Sequence, residues 1–272
     1  MIVGGVACAY LASVDFAAPW WVGSAGFVAT GLVAALTMRE PEVRSPTGSR
    51  TDFYRRMRAG FASVRAVPVL RLVCALTGVT FFALVPAHML WQPHLGALSG
   101  EGVWLIGWLW VALNFAALGG SALIRVVDAL DRSRVLCVAA VWRGGLLAFA
   151  AAATTYTPAL AGWLLQEISS GLTEPMLQAW MNERVSADRR ATALSIRSMF
   201  GTLGGGLGLI AIGFVARDQG ARAAWAVSAA LVLVTAPVFL LLGRLAAHVA
   251  HAETAHVIAE PVPAKIVPPA VS

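Results

Sequence analysis

Seven apolar runs, each long enough to cross a bilayer and separated by short polar turns, constrain this chain more than any motif in it. They fall at residues 20–38, 69–90, 103–123, 135–153, 158–180, 193–216 and 223–242. A hydrocarbon core of ~30 Å is crossed by about 20 apolar residues in a helix that rises ~1.5 Å per residue. Lipid offers the backbone no hydrogen-bond partner, so each run is expected to be helical despite its interior Gly and Pro. Composition agrees: 58% of residues are hydrophobic and 12% charged, against about 25% charged in a soluble domain. With a mean hydropathy of +0.74, a water-soluble fold could not hide the apolar surface.

An eighth apolar stretch, residues 1–13, carries no Lys or Arg. It therefore lacks the positive n-region of a signal peptide, and Cys8 lacks the leader that a lipoprotein needs. As a helix it would reach only about 20 Å. The expectation is the second half of a helix whose beginning lies outside this sequence.

The basic residues are nineteen Arg and one Lys, with a net charge of +6. They cluster in alternate turns: Arg39, Arg44, Arg50, Arg55, Arg56, Arg58 and Arg65, then Arg125, Arg132 and Arg134, then Arg184, Arg189 and Arg190. The turns at 15–19, 92–102 and 154–157 carry none, and Arg217 and Arg222 alone break the alternation. By the positive-inside rule the Arg-rich turns and the C-terminus are expected to be cytoplasmic, in a multi-pass protein of the inner (plasma) membrane. Trp20, Trp21, Trp91, Trp104, Trp108, Trp163 and Trp225 lie near the ends assigned to the other face and are expected to form an interfacial belt. Clusters between apolar runs fit lipid headgroups and give no continuous face for nucleic acid.

Four regions follow: 1–38 with the first two helices, a basic loop at 39–67, a six-helix bundle at 68–247 and a disordered tail at 248–272. Within the loop, Pro41, Pro46 and Gly48 favour extended chain before Thr51 or Asp52 caps a helix to about Ala66. Phe53, Tyr54, Met57, Phe61 and Val64 share one side of that helix among arginines, as in helices that lie on a membrane surface. Cys8, Cys74 and Cys137 form no CxxC pair and have no His at ligand spacing, so no disulfide framework, metal site or cofactor is expected. Ser195, Ser198 and the tail histidines form no catalytic array, and Gly204, Gly205 and Gly206 open no strand-to-helix phosphate loop.

These features resemble the major facilitator superfamily from its fifth helix onward, over residues 1–247. The resemblance rests on the Gly-rich short helix, the Arg39-Glu40-Pro41 helix end and the long basic loop. Trp91-Gln92-Pro93-His94-Leu95 with Gly102 is similar to the end of the family's seventh helix. Residues Asn182-Glu183-Arg184-Val185 through Arg189-Arg190-Ala191-Thr192-Ala193-Leu194-Ser195 are similar to the loop into its eleventh. It implies a secondary transporter with two six-helix bundles and a substrate path between them, four helices of the first bundle lying outside this sequence. It also implies proton-coupled export of a small molecule by alternating access. Import of a small polar solute, and a non-transporting membrane subunit or inactive fragment, are the alternatives. Gly119-Gly120, Asp128 and Asp131-Arg132-Ser133-Arg134 match the loop signature repeated in the second bundle.

Ionisable groups inside membrane helices are costly and tend to be functional. Glu167, near mid-bilayer in its helix, is the first candidate for carrying a proton; Gln166, Asn114, Gln92 and His88 are candidates for substrate contact. His88 and Gln92 are expected near the outer interface. Gly201, Gly204, Gly205 and Gly208 stand at GxxxG spacing and should allow close helix packing or sliding. Arg143 and Glu174 lie at matching depths on consecutive helices and are expected to pair; the alternatives are a snorkelling Arg143, or a Glu174 that pairs with Arg197.

The alternation of arginines makes topology testable. In a chain without the three native cysteines, single cysteines at Ser99 and Ser186 should react with an impermeant reagent from opposite sides, Ser186 from the cytoplasm. Equal labelling in sealed cells would overturn the orientation.

Overall fold

A computed structural model describes residues 2–38, 50–100, 104–185 and 187–259, and every regular element among them is an α-helix. In chain order these are α1 (Ile2–Val14), α2 (Ala18–Thr37), α3 (Arg50–Ala66), α4 (Pro68–Ser99), α5 (Trp104–Val127), α6 (Arg132–Ala152), α7 (Tyr156–Arg184) and α8 (Ala187–Ala259). Five segments are long and apolar enough to cross a membrane: Ala18–Thr37, Pro68–Ser99, Leu105–Val127, Arg132–Ala152 and Arg190–His248. The last is two arms joined at Gly220, whose φ of 87° and ψ of 169° leave the helical region. That backbone conformation suits glycine because it has no Cβ.

Helix ends differ from expectation in three places. α4 runs on through Pro93 to Ser99, so most of the turn expected at 92–102 is helix, ended by Gly100 in the left-handed conformation. Buried Trp91 and Leu95 hold this extension against the bundle. The turn expected around Arg217 and Arg222 contracts to the bend at Gly220. α8 continues to Ala259, into the stretch expected as a tail; 260–272 and the loop residues 39–49 lie outside the described residues. The basic amphipathic helix is present as α3, with Val64 and Phe61 packed into the bundle core and Tyr54 and Met57 exposed.

α4 packs along α8, α6 along α8, and α7 along α5 and α6, while α1 leans on α5. The α4–α8 and α5–α7 contacts bring backbone against backbone at glycines. A Cβ added to Gly204 or Gly208 would run into the carbonyl oxygens of Gly78 or Phe82 on α4, and one at Gly120 or Gly171 into those of Ile168 or Ala117. Gly201 and Gly205 face Thr77, Phe81 and Val85 of the same helix. Small residues at helix crossings are what membrane packing requires, since lipid supplies no hydrophobic drive between helices. Prolines fit the same contacts. Pro86 removes the N–H that would bond the Phe82 carbonyl, the oxygen that Gly208 approaches. Pro175 likewise frees the Gly171 carbonyl, which accepts a hydrogen bond from the Ser121 hydroxyl of α5 at 3.0 Å.

The core is in two apolar clusters. One, at the Arg-rich end, gathers Val69, Val73, Leu136, Leu177, Met181, Ile196 and Leu242. The other, at the opposite end, gathers Ala87, Trp91, Leu147, Ala159, Trp163, Trp225 and Val232. Trp163 and Trp225 stack with centroids 4.9 Å apart, and the Trp225 indole N–H donates to the Ala87 carbonyl at 3.2 Å. This corrects the expected belt: Trp91, Trp163 and Trp225 are core residues, while Trp20, Trp21 and Trp108 are exposed. The stacked rings join α7 and α8 in this cluster, and the indole bond ties them to α4.

Gly171→Ala and Gly204→Ala should each destabilise the purified protein by about 1–3 kcal/mol, as overpacking does. Gly145→Ala, where an added Cβ meets nothing within 4 Å, should leave the melting temperature in detergent unchanged. Equal effects at all three positions would show that the crossings are not glycine-limited.

Candidate functional site

A layer of polar side chains lies between the two apolar clusters, and four helices contribute to it at matching depth. In each, the polar residues follow one apolar cluster and precede the other along the chain: Thr77 on α4, Arg143 on α6, Gln166, Glu167 and Ser169 on α7, and Thr235 on α8. Arg197 joins them from the first arm of α8, next to Ile196 of the Arg-rich cluster. Gln166 is 0% exposed, Glu167 7% and Arg143 8%. Groups of this kind persist in an apolar interior only when their hydrogen bonds are met inside the protein.

The bonds form a chain. His88 Nε2 lies 2.7 Å from Glu167 Oε1, and the Gln166 amide donates to the same oxygen at 2.7 Å. Arg143 Nε donates to Gln166 Oε1 at 3.0 Å, and one of its terminal nitrogens donates to Ser170 Oγ at 3.4 Å. That nitrogen is 4.0 Å from Glu167 Oε1. A second group sits beside it, where Arg197 donates to Glu174 Oε2 at 2.7 Å and to Thr77 Oγ1 at 3.0 Å. Thr77 passes its own proton to the Val73 carbonyl at 2.9 Å.

The protonation of His88 follows from its partners. Its Nδ1 is 2.8 Å from the Leu84 carbonyl, which can only accept, so Nδ1 carries a hydrogen. Nε2 then meets a carboxylate oxygen at a distance that requires one proton between them, carried as imidazolium or as carboxylic acid. The contact is a hydrogen bond between ionisable side chains of α4 and α7, with Trp163 edge-on to the imidazole at 5.1 Å.

Both groups border one cavity of about 290 Å³, lined by Thr77, Thr80, Phe81, Leu84, Val85, His88, Met89, Arg143, Ser170, Thr173, Glu174, Leu177 and Arg197. Five candidates from the sequence, Glu167, Gln166, Arg143, Glu174 and His88, come together here. The expected Arg143–Glu174 pair is corrected: Glu174 bonds Arg197, and Arg143 faces Gln166, Ser170 and Glu167. Depth alone did not separate the two partners of Glu174: α8 packs much less against α7 than α6 does, yet the long Arg197 side chain reaches across to it. His88 is also corrected, since α4 extends past it and its ring turns inward to Glu167 instead of lying at an interface. Arg197 and Thr77 were not among the candidates for binding; a buried Arg just inside an apolar run was the available signal.

The other candidates lie apart from the cavity. Asn114 spends its amide on the Trp110 carbonyl of its own helix at 2.7 Å, and Gln92 is exposed on α4. Asp128 is exposed in the turn before α6. Asp131 caps α6 by accepting from the Arg134 amide at 2.9 Å and from the Ser133 hydroxyl. The Ser133 bond and then the Arg134 amide hold its carboxyl below the usual Asp range. Arg132 pairs with Glu183 at 2.6 Å and ties that turn to the end of α7.

Arg197 is buried while the Glu174 side chain is 55% exposed. Glu174→Gln should therefore destabilise by on the order of 1–3 kcal/mol, below the range for a fully enclosed pair, because it strands a buried guanidinium. Glu174→Gln combined with Arg197→Met should recover part of that loss in a thermal melt. Strictly additive losses would show that the two charges do not interact.

A family model described as Major Facilitator Superfamily matches residues 103–268, more than half of the chain, and leaves α1 to α4 outside the match. No curated protein matches the chain closely enough to count as a relative. A bundle of apolar helices closed around a polar mid-depth layer, joined to that match, makes this chain a multi-pass membrane protein with a transporter's architecture and no enzyme's; it belongs to the major facilitator superfamily.

Proposed function

We propose that this chain supplies the second bundle of a proton-coupled secondary transporter for small organic solutes, working by alternating access around the cavity bounded by α4, α6, α7 and α8. The observation that supports the coupling is the 2.7 Å His88–Glu167 contact; in this reading the pair holds one proton and opens when the proton leaves. On opening, Glu167 has a second partner in reach, because Arg143 stands 4.0 Å from the same oxygen. Loading and unloading one proton thus exchanges a bond between α4 and α7 for one between α6 and α7. That is a two-state element to which solute access can be tied. The inward face of this bundle is expected to meet a complementary bundle, and export to the outside is the direction that the family resemblance implies.

One observation favours a second reading, a chain that does not transport unaided. No residue of α2 is buried, and among the described residues its substantial packing is against α1 alone. In lipid such a helix finds partners through close packing with other helices.

Proteoliposomes separate the two. With the complementary bundle present, an imposed pH gradient should drive net solute accumulation, in the direction that the assay itself reads out. Glu167→Gln should keep solute exchange within about twofold and lower gradient-driven accumulation at least about tenfold, since only the coupled step needs the titrating group. Full gradient-driven accumulation in Glu167→Gln would remove the proton role. Gradient-driven flux by the 272-residue chain alone would remove the second reading.

A further inference from the structure

The charges that face the cavity do not balance locally. His88 comes from α4, Arg143 from α6, Glu174 from α7 and Arg197 from α8, with Glu167 set behind His88. Glu174 neutralises Arg197 in direct contact, and Glu167 is engaged by His88 and Gln166. Arg143 is left as a buried guanidinium whose hydrogen bonds go to two neutral groups, Gln166 and Ser170, with the nearest carboxylate oxygen 4.0 Å away. A buried cation on a cavity wall, whose neighbouring carboxylate oxygen stands 4.0 Å off and is already engaged by His88 and Gln166, is costly unless a ligand supplies further negative charge.

We infer that the cavity binds a small organic carboxylate, its anionic end on Arg143 and its apolar body against Phe81, Leu84, Val85 and Met89. The guanidinium fork suits a carboxylate in two parallel bonds, with the Ser170 hydroxyl beside it. Those apolar side chains line the same space, and about 290 Å³ is at the small end of organic ligand sites. The inference rests on the transporter reading and names its solute class. It also gives the proton a consequence. While His88 and Glu167 share a proton, Arg143 is open to the solute; once the proton leaves, Glu167 is released toward Arg143 and competes for the same donors. Proton and carboxylate therefore bind with mutual support, as linkage requires.

The test is equilibrium dialysis of radiolabelled phenylacetate against the purified chain in nanodiscs. Size-matched 2-phenylethanol and 2-phenylethylammonium serve as controls. Phenylacetate should bind saturably and the neutral and cationic analogues should not. Arg143→Gln should weaken it by about thirtyfold or more, as loss of a buried charged partner does. Binding should be tighter at pH about 6 than at about 8, a window in which a carboxylic acid itself stays ionised. Glu167→Gln, which keeps Arg143 but removes its competitor, should make binding equally tight at both. No saturable phenylacetate binding, equal binding of the alcohol, or an unaffected Arg143→Gln protein would each overturn the carboxylate site and leave the gradient-driven flux test of coupling standing. Pronounced pH dependence persisting in Glu167→Gln would overturn the competition. Phenylacetate binding to Arg143 without any gradient-driven flux would instead keep the site and remove the coupled-transport reading.

Discussion

Everything polar in the centre of this bundle is held under one constraint: in a hydrocarbon surround, a donor or acceptor not met by the protein is met by nothing. α7 carries most of that demand, with Gln166, Glu167, Ser169, Ser170 and Glu174 within nine residues of one helix. It is answered from all sides. α4 brings His88, α6 brings Arg143 and the Ala139 carbonyl, which accepts from Ser169 at 2.9 Å, and the first arm of α8 brings Arg197. Remove any one of these helices and a polar group on α7 loses its partner, so the polar layer fixes the arrangement that the apolar clusters on either side only fill.

The same constraint explains the pairing of proline with hydroxyl or glycine. A proline in a soluble helix leaves a carbonyl for water; here the carbonyl released by Pro175 accepts a hydrogen bond from the Ser121 hydroxyl, and the one released by Pro86 lies against Gly208. Both are contacts between helices. A local defect in one helix thus becomes part of the fit between two, and the close approach of backbones at Gly120 and Gly171 keeps α5 and α7 at a separation that side chains elsewhere would not permit.

Much of this was legible in sequence because one property, hydropathy over about 20 residues, decides what a chain in lipid can do. The helices, the amphipathic α3 and the burial of Glu167 within its helix follow from it. Helix ends were less legible: the polar turn signals at Gln92 and Pro93 are overridden by Trp91 and Leu95, whose burial extends α4. Side-chain partners were least legible. Equal depth placed Arg143, Glu174 and Arg197 in one layer, but which carboxylate meets which guanidinium depends on the rotation of each helix about its axis, and apolar residues on nearly every face hide that rotation. The tryptophans misled for a related reason: a ring near a helix end suits an interface and a core equally, and stacking between Trp163 and Trp225 is a tertiary fact.

The bend at Gly220 is a joint without slack. The first arm of α8 carries the glycines that seat α4, and the second carries Trp225, Ala229 and Leu233, which meet α4 and α6. Between them is one residue outside the helical conformation. Arg222 anchors the far side, donating to the Ala151 and Ala152 carbonyls at the end of α6 at 3.0 Å each. Each helical residue advances the azimuth by about 100°. A single inserted or deleted residue at this joint would therefore turn the whole second arm by that angle and present a different stripe to α4 and α6. Longer connections can absorb a change in length as a wider loop; here length is phase, and the number of residues between the two arms is as much a part of the fold as their identity.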